Sequence, residues 1–141
     1  MRYGMFDQIE FTGQPLHELY RDRLALVRVA DEAGFERYHK SEHHMIRLDA
    51  APQLGLFFAA AAQHTTRLRF GSLVYLLPFH HPIRLAEEIA TLDHLLEGRF
   101  DVGVGRGISL PERRRLNTSS RARAMPRLPT PQPTAARQAR P

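Results

Sequence analysis

Four short segments, Arg2 to Phe6, Phe35 to Lys40, Leu68 to Leu77 and Phe100 to Val104, read as strands. Their starts are roughly 31 to 33 residues apart, about the length of one strand, loop, helix and loop. This recurrence restricts the fold more than any other feature. The stretches between them carry a helical pattern. After Pro15, residues Leu16, Leu19, Tyr20, Leu26, Val27, Ala30 and Ala33 recur at 3-4 spacing, with Pro15 suited to a first turn and Gly34 to the C′ position. A second helix is expected from Pro52 to about Gln63, apolar around most of its circumference and therefore well buried. A third starts at Pro82, runs through Ile83, Leu85, Ala86, Ile89, Leu92, Leu95 and Leu96, and is capped by Gly98.

Repeated βα units whose strands are apolar without alternation, as in Leu73-Val74-Tyr75-Leu76-Leu77, predict a parallel sheet covered by helices. The class is α/β. Periodicity leaves two arrangements open, the doubly wound sheet and the closed (β/α)₈ barrel.

The pattern stops after Gly107. Residues 113–141 hold eight Arg and five Pro, with no acid and no Ile, Val, Phe, Tyr or Trp. Such a segment buries too little apolar surface to offset the entropy of ordering, so residues 112–141 are expected to form a disordered tail behind a body of residues 1–111. The overall charge of +5 belongs to that tail, because residues 1–112 contain all 15 acids against 11 Arg and Lys40. A basic tail could engage nucleic acid as a non-catalytic binding protein. It offers no aromatic residue for base stacking, and nucleic acid is the less favoured partner. With no cysteine there is no disulfide framework or thiolate metal site, and a cytoplasmic location is the default. Asp7 and Glu10 interrupt the N-terminus where a signal peptide would be apolar, and the longest apolar run, Leu54 to Ala62, is too short to span a bilayer.

The unusual polar residues collect at the predicted C-terminal strand ends, the ligand-binding face of either parallel arrangement. Asp7-Gln8 follows the first strand, Glu42-His43-His44 the second, Pro78-Phe79-His80-His81 the third and Gly105-Arg106-Gly107 the fourth. His43 offers proton transfer near neutral pH, with the adjacent Glu42 carboxylate able to fix its tautomer; the alternative is a pair of histidines satisfying buried groups at the rim. Zinc is disfavoured, because adjacent histidines do not share a strand face and neither pair has the i, i+4 helical spacing. Gly103-Val104-Gly105-Arg106-Gly107 suits backbone and guanidinium contact with an anion, although the same glycines could simply permit a tight turn.

Taken in order and spacing, Glu42-His43-His44, Gly71 through Leu77-Pro78, His81-Pro82, Ala86-Glu87, Leu92-Asp93, Gly98-Arg99-Phe100 and Gly103 to Gly107 resemble the N-terminal part of the bacterial luciferase-like, flavin-dependent monooxygenases. The resemblance covers residues 2–107. It implies the N-terminal half of a (β/α)₈ TIM barrel and a cytoplasmic enzyme. It also implies reduced FMN supplied by a separate flavin reductase, with O₂ as cosubstrate for oxygenating a small organic molecule. By position, His43 matches the family's active-site histidine and Glu42 its carboxylate neighbour. Ser72, Leu73 and Val74 match the stretch that supports the flavin ring, where a non-proline cis peptide is frequent, and Arg106, with Gly107, matches the arginine near the flavin phosphate. A deazaflavin-dependent branch shares the fold, and the Glu-His-His form fits the FMN branch better.

A complete barrel takes roughly 250 residues. Four strands leave an open sheet edge and half an apolar interior, which favours self-association over a stable monomer. The abrupt change after Gly107, and the preference for Arg over Lys, lead to the expectation that another reading frame of the coding DNA beyond about codon 110 continues the βα pattern.

Overall fold

A computed structural model of the protein describes residues 1–107 together with Glu112 and Arg114. The elements follow in the order β1 (Gly4–Asp7), α1 (Leu16–Glu32), β2 (Arg37–Lys40), α2 (Leu54–Ala62), β3 (Arg69–Ser72), β4 (Tyr75–Leu76), a 3₁₀ turn (Leu77–Phe79), α3 (Pro82–Leu95), β5 (Phe100–Asp101) and β6 (Val104–Gly105). Strands β1, β2, β3 and β5 form one sheet in that order, and β4 pairs with β6; every pairing is parallel. The helices fall where the apolar spacing places them. Pro82 opens α3, and the positive φ of Gly34 (82°) and Gly98 (75°) lies just beyond the ends of α1 and α3, a backbone region that glycine enters without Cβ conflict.

Register explains which side chains form the core. Tyr38 aligns with Phe70 and Phe70 with Phe100, so the three share one sheet face. Against them α2 sets Phe57 and Phe58, with ring centroids 5.7 Å apart for Phe58–Phe70, 5.6 Å for Phe58–Phe100 and 6.1 Å for Tyr38–Phe57. Each buried aromatic contributes roughly 1.5–3 kcal/mol. The opposite face is different in kind: Phe6 is more than half exposed, while Arg37 and Arg69 both reach the Asp101 carboxylate, at 2.6 and 2.7 Å.

Two connections hold the layers in place. The Asp31 side chain, at the end of α1, accepts the backbone N–H groups of Thr66, Arg67 and Leu68, anchoring the start of β3. Burial would raise its carboxyl, but these bonds hold it below the usual carboxylate range. Between α2 and α3, a Cβ on Gly55 would lie 2.3 Å from a Glu88 carboxylate oxygen, so glycine permits the helices to approach there.

The structure corrects three sequence expectations. The continuous strand Leu68 to Leu77 is divided: the chain leaves the larger sheet after Ser72, the Leu73–Val74 peptide is cis, and Tyr75 and Leu76 align with Val104 and Gly105. The strand Phe100 to Val104 is divided for a related reason. At Gly103 the Ser72 hydroxyl replaces a sheet partner, accepting the Gly103 N–H and donating to its carbonyl, both at 2.9 Å. Finally, residues 112–141 are expected to form a disordered tail, yet Glu112 and Arg114 are helical. The remainder of the expected tail, residues 113 and 115–141, lies outside the described residues.

Candidate active site at the C-terminal strand ends

β2 runs directly into the site. Its last residue, Lys40, is fully buried, with Nζ 2.9 and 2.8 Å from the two Asp49 carboxylate oxygens and 2.9 Å from the Ser41 carbonyl. Burial pushes the lysine down and the aspartate up, against the mutual attraction that favours both charges. Asp49 also accepts the backbone N–H groups of His43 at 3.2 Å and Ala51 at 2.8 Å, so the ion pair fixes the path of the loop that follows.

Glu42 is the hub of that loop. Its carboxylate has no exposed surface and accepts from His44 Nε2 at 2.5 Å, from His80 Nε2 at 2.9 Å and from the Leu76 N–H at 2.9 Å. Burial raises its pKa, but hydrogen bonds from the two imidazoles and the amide outweigh that effect and hold it at about 2. The bond to Glu42 raises the His80 imidazole above its ordinary value, burial opposing. His44 packs edge-on against Phe79 and His80 against Tyr75, both with centroids 5.4 Å apart. Among the described residues no group of three His, Asp or Glu side chains is arranged to hold a metal ion.

The expectation that Glu42 pairs with His43 is therefore corrected: Glu42 turns to His44 and His80, because neighbouring residues leaving a strand point to different sides. The carboxylate at His43 belongs to Glu112, 3.2 Å from Nδ1, and the same oxygen accepts the His44 N–H at 2.7 Å. Glu112, Lys40 and Asp49 were not among the sequence candidates. Glu112 had a legible signal, since Ser109 and Glu112 have the S-x-x-E spacing of a capping box. Nothing local marks Asp49 as the partner of Lys40.

The remaining candidates line the other side. Ser72 is buried in its exchange with Gly103, Leu73 is about half exposed, and Val74 is half-buried. The glycines of Gly103-Val104-Gly105 are explained by close approach: a Cβ on Gly103 would lie 2.3 Å from the Ser72 carbonyl oxygen, and one on Gly105 2.6 Å from Val74 Cγ2. Gly107 has a φ of 72°. Between these glycines the Arg106 side chain is exposed and makes no ion pair with the described residues. The loop after β2, the Leu73–Val74 segment and the Arg106 loop are joined by the Leu76–Glu42 bond and the β4–β6 pairing.

Parallel βα units in sequential strand order, with an imidazole and carboxylate cluster at the C-terminal strand ends, define an α/β-barrel type of fold. A model of the luciferase-like monooxygenase family matches residues 1–129, and the chain belongs to that family. It is 44% identical over 111 residues to an uncharacterised protein of Sinorhizobium fredii, covering 79% of this chain and 32% of that one. It is 35% identical over 109 residues to the oxygenase component of the flavin-dependent trigonelline monooxygenase of Acinetobacter baylyi, covering 76% and 30%. The oxygenating constituent of 3,6-diketocamphane monooxygenase from Pseudomonas putida, solved with FMN, superposes with a TM-score of 0.78 at 28% identity, covering 82% of this chain and 32% of that structure. The fold is thus part of a TIM barrel, and the chain spans about a third of the length of these relatives.

Proposed function

We propose that this chain carries the N-terminal part of a reduced-FMN-dependent oxygenation site, a cytoplasmic oxygenase component served by a separate flavin reductase and acting on a small organic substrate. The observation that carries this reading is that the loop of His43, the Leu73–Val74 segment and the loop of the exposed Arg106 are tied together at one end of the parallel strands by the Leu76–Glu42 bond and the β4–β6 pairing. These residues fit a flavin mononucleotide in chemical kind. An apolar edge at Leu73 and Val74 suits a flat ring, and an exposed guanidinium suits a phosphate. Bound reduced FMN would supply the electrons for O₂ activation. His43 is the group able to give or take a proton beside it, and Glu42 fixes the loop that carries His43 by binding His44, His80 and the Leu76 N–H.

Titration of the folded chain with photoreduced FMN under anaerobic conditions tests the reading. Saturable binding that weakens in Arg106→Ala supports it, whereas no binding to a chain with a folded circular dichroism spectrum rejects it for this polypeptide. Given binding, His43→Ala is expected to impair oxygen turnover more than flavin affinity, since a proton-transfer group acts mainly in the chemical step.

A further inference from the structure

We propose that Glu112 is the positioning residue for His43, holding its imidazole as the Nδ1–H tautomer so that Nε2 is the ring atom left to accept a proton. The proposal rests on the reading of His43 as the proton-transfer group, but its structural content stands apart from flavin.

Three observations carry it. Glu112 is 2% exposed, and one of its oxygens lies 3.2 Å from His43 Nδ1 and 2.7 Å from the His44 N–H. An ionised carboxylate only accepts hydrogen bonds, so the nitrogen facing it must carry the hydrogen. In a neutral imidazole the other nitrogen, Nε2, then holds the lone pair. The second observation is that the His43 backbone is fixed independently, its N–H held by Asp49 at 3.2 Å. Backbone and ring are thus set by two carboxylates from different segments. The third is exposure: the His43 side chain is 26% exposed, and among the described residues Nε2 makes no hydrogen bond. A proton taken up at Nε2 creates an imidazolium whose charge faces the buried Glu112 carboxylate, the arrangement by which a carboxylate supports a histidine base. Glu42 cannot serve this purpose, being engaged with His44 and His80.

The experiment is long-range ¹H–¹⁵N correlation of the histidine rings in the full-length chain, with His43 assigned by the signal lost in His43→Ala. The expected result is a protonated, pyrrole-like Nδ1 and an unprotonated, pyridine-like Nε2 for neutral His43. Glu112→Gln retains a carbonyl acceptor and is expected to keep this tautomer. Glu112→Ala removes the acceptor and is expected to shift the ring toward the Nε2–H form. A wild-type ring that is already Nε2–H overturns the proposal, as does a folded Glu112→Ala chain with an unchanged tautomer. If Glu112→Ala does not fold, the wild-type and Glu112→Gln spectra decide. Photoreduced FMN is titrated separately: an Nδ1–H His43 in a chain that binds no flavin sustains the Glu112 assignment while removing the proposed oxygenation site.

Discussion

Glu42 and His80 lie on opposite sides of β3 in sequence, yet the His80 Nε2 donates to both Glu42 oxygens, at 2.9 and 3.0 Å. This contact binds the loop after β2 to the 3₁₀ turn before α3, and with the Leu76 N–H it makes one buried carboxylate responsible for both. Replacing it by Gln keeps the shape but removes the charge and one acceptor. Glu42→Gln is expected to lower unfolding stability by about 2–3 kcal/mol, the scale of hydrogen bonds to a charged group. Urea unfolding measures this, and a midpoint equal to wild type would show that the hub contributes no stability.

The same groups set a pH window for stability. Glu42 is held at about 2 in the folded chain, below its ordinary 4.5, so its contribution is complete above about 4.5 and declines as pH falls toward 2. Asp31, also lowered, acts in the same direction. His80 is raised above 6.5, so its contribution is complete below 6.5 and is lost as pH rises through its folded value. Stability from these groups is therefore expected to peak between about 4.5 and 6.5. Urea midpoints collected across pH check this. Glu42→Gln should flatten the acidic arm and His80→Asn the alkaline arm, and a His80→Asn profile that parallels wild type would contradict the assignment.

How far these features were legible depends on the range over which they are encoded. The βα repeat, the capping glycines Gly34 and Gly98 and the placement of Glu42-His43-His44 at a strand end are local patterns, and the structure places all of them where the spacing does. What the pattern could not reveal was partnership. Adjacency suggested that Glu42 serves His43, whereas the fold brings His80 to Glu42 and Glu112 to His43. The division of the third strand was equally hidden. The run Leu73-Val74-Tyr75-Leu76-Leu77 continues Leu68 to Ser72 without a turn signal, and the switch to a second pairing partner depends on the approach of β6.

That approach yields the third prediction. A methyl group on Gly103 would sit 2.3 Å from the backbone oxygen of Ser72, which cannot move aside as a flexible side chain would. Gly103→Ala is expected to cost about 1–3 kcal/mol, the range for overpacking a tight site. Arg106→Ala, three residues on and exposed, should change stability by no more than roughly 0.5 kcal/mol. Thermal unfolding of the two variants side by side makes the comparison, and equal losses would mean that the close approach is relieved elsewhere.

The last prediction concerns Lys40 and Asp49. Both side chains are wholly buried, and burial works against each charge, so neither is tolerated without the other. Lys40→Met leaves an uncompensated carboxylate and Asp49→Asn an uncompensated ammonium; each is expected to cost about 3–5 kcal/mol. The double variant removes both charges. It should not return fully to wild type, because Asp49 also accepts the His43 and Ala51 N–H groups, and an asparagine carbonyl replaces only part of that role. The expected outcome is a double-variant loss smaller than the sum of the two single losses by at least about 1 kcal/mol, within the range for directly interacting residues. A double-mutant cycle by urea unfolding provides the number. Simple additivity would show that the two groups stabilise the loop independently, and that the ion pair is not what fixes the backbone at His43.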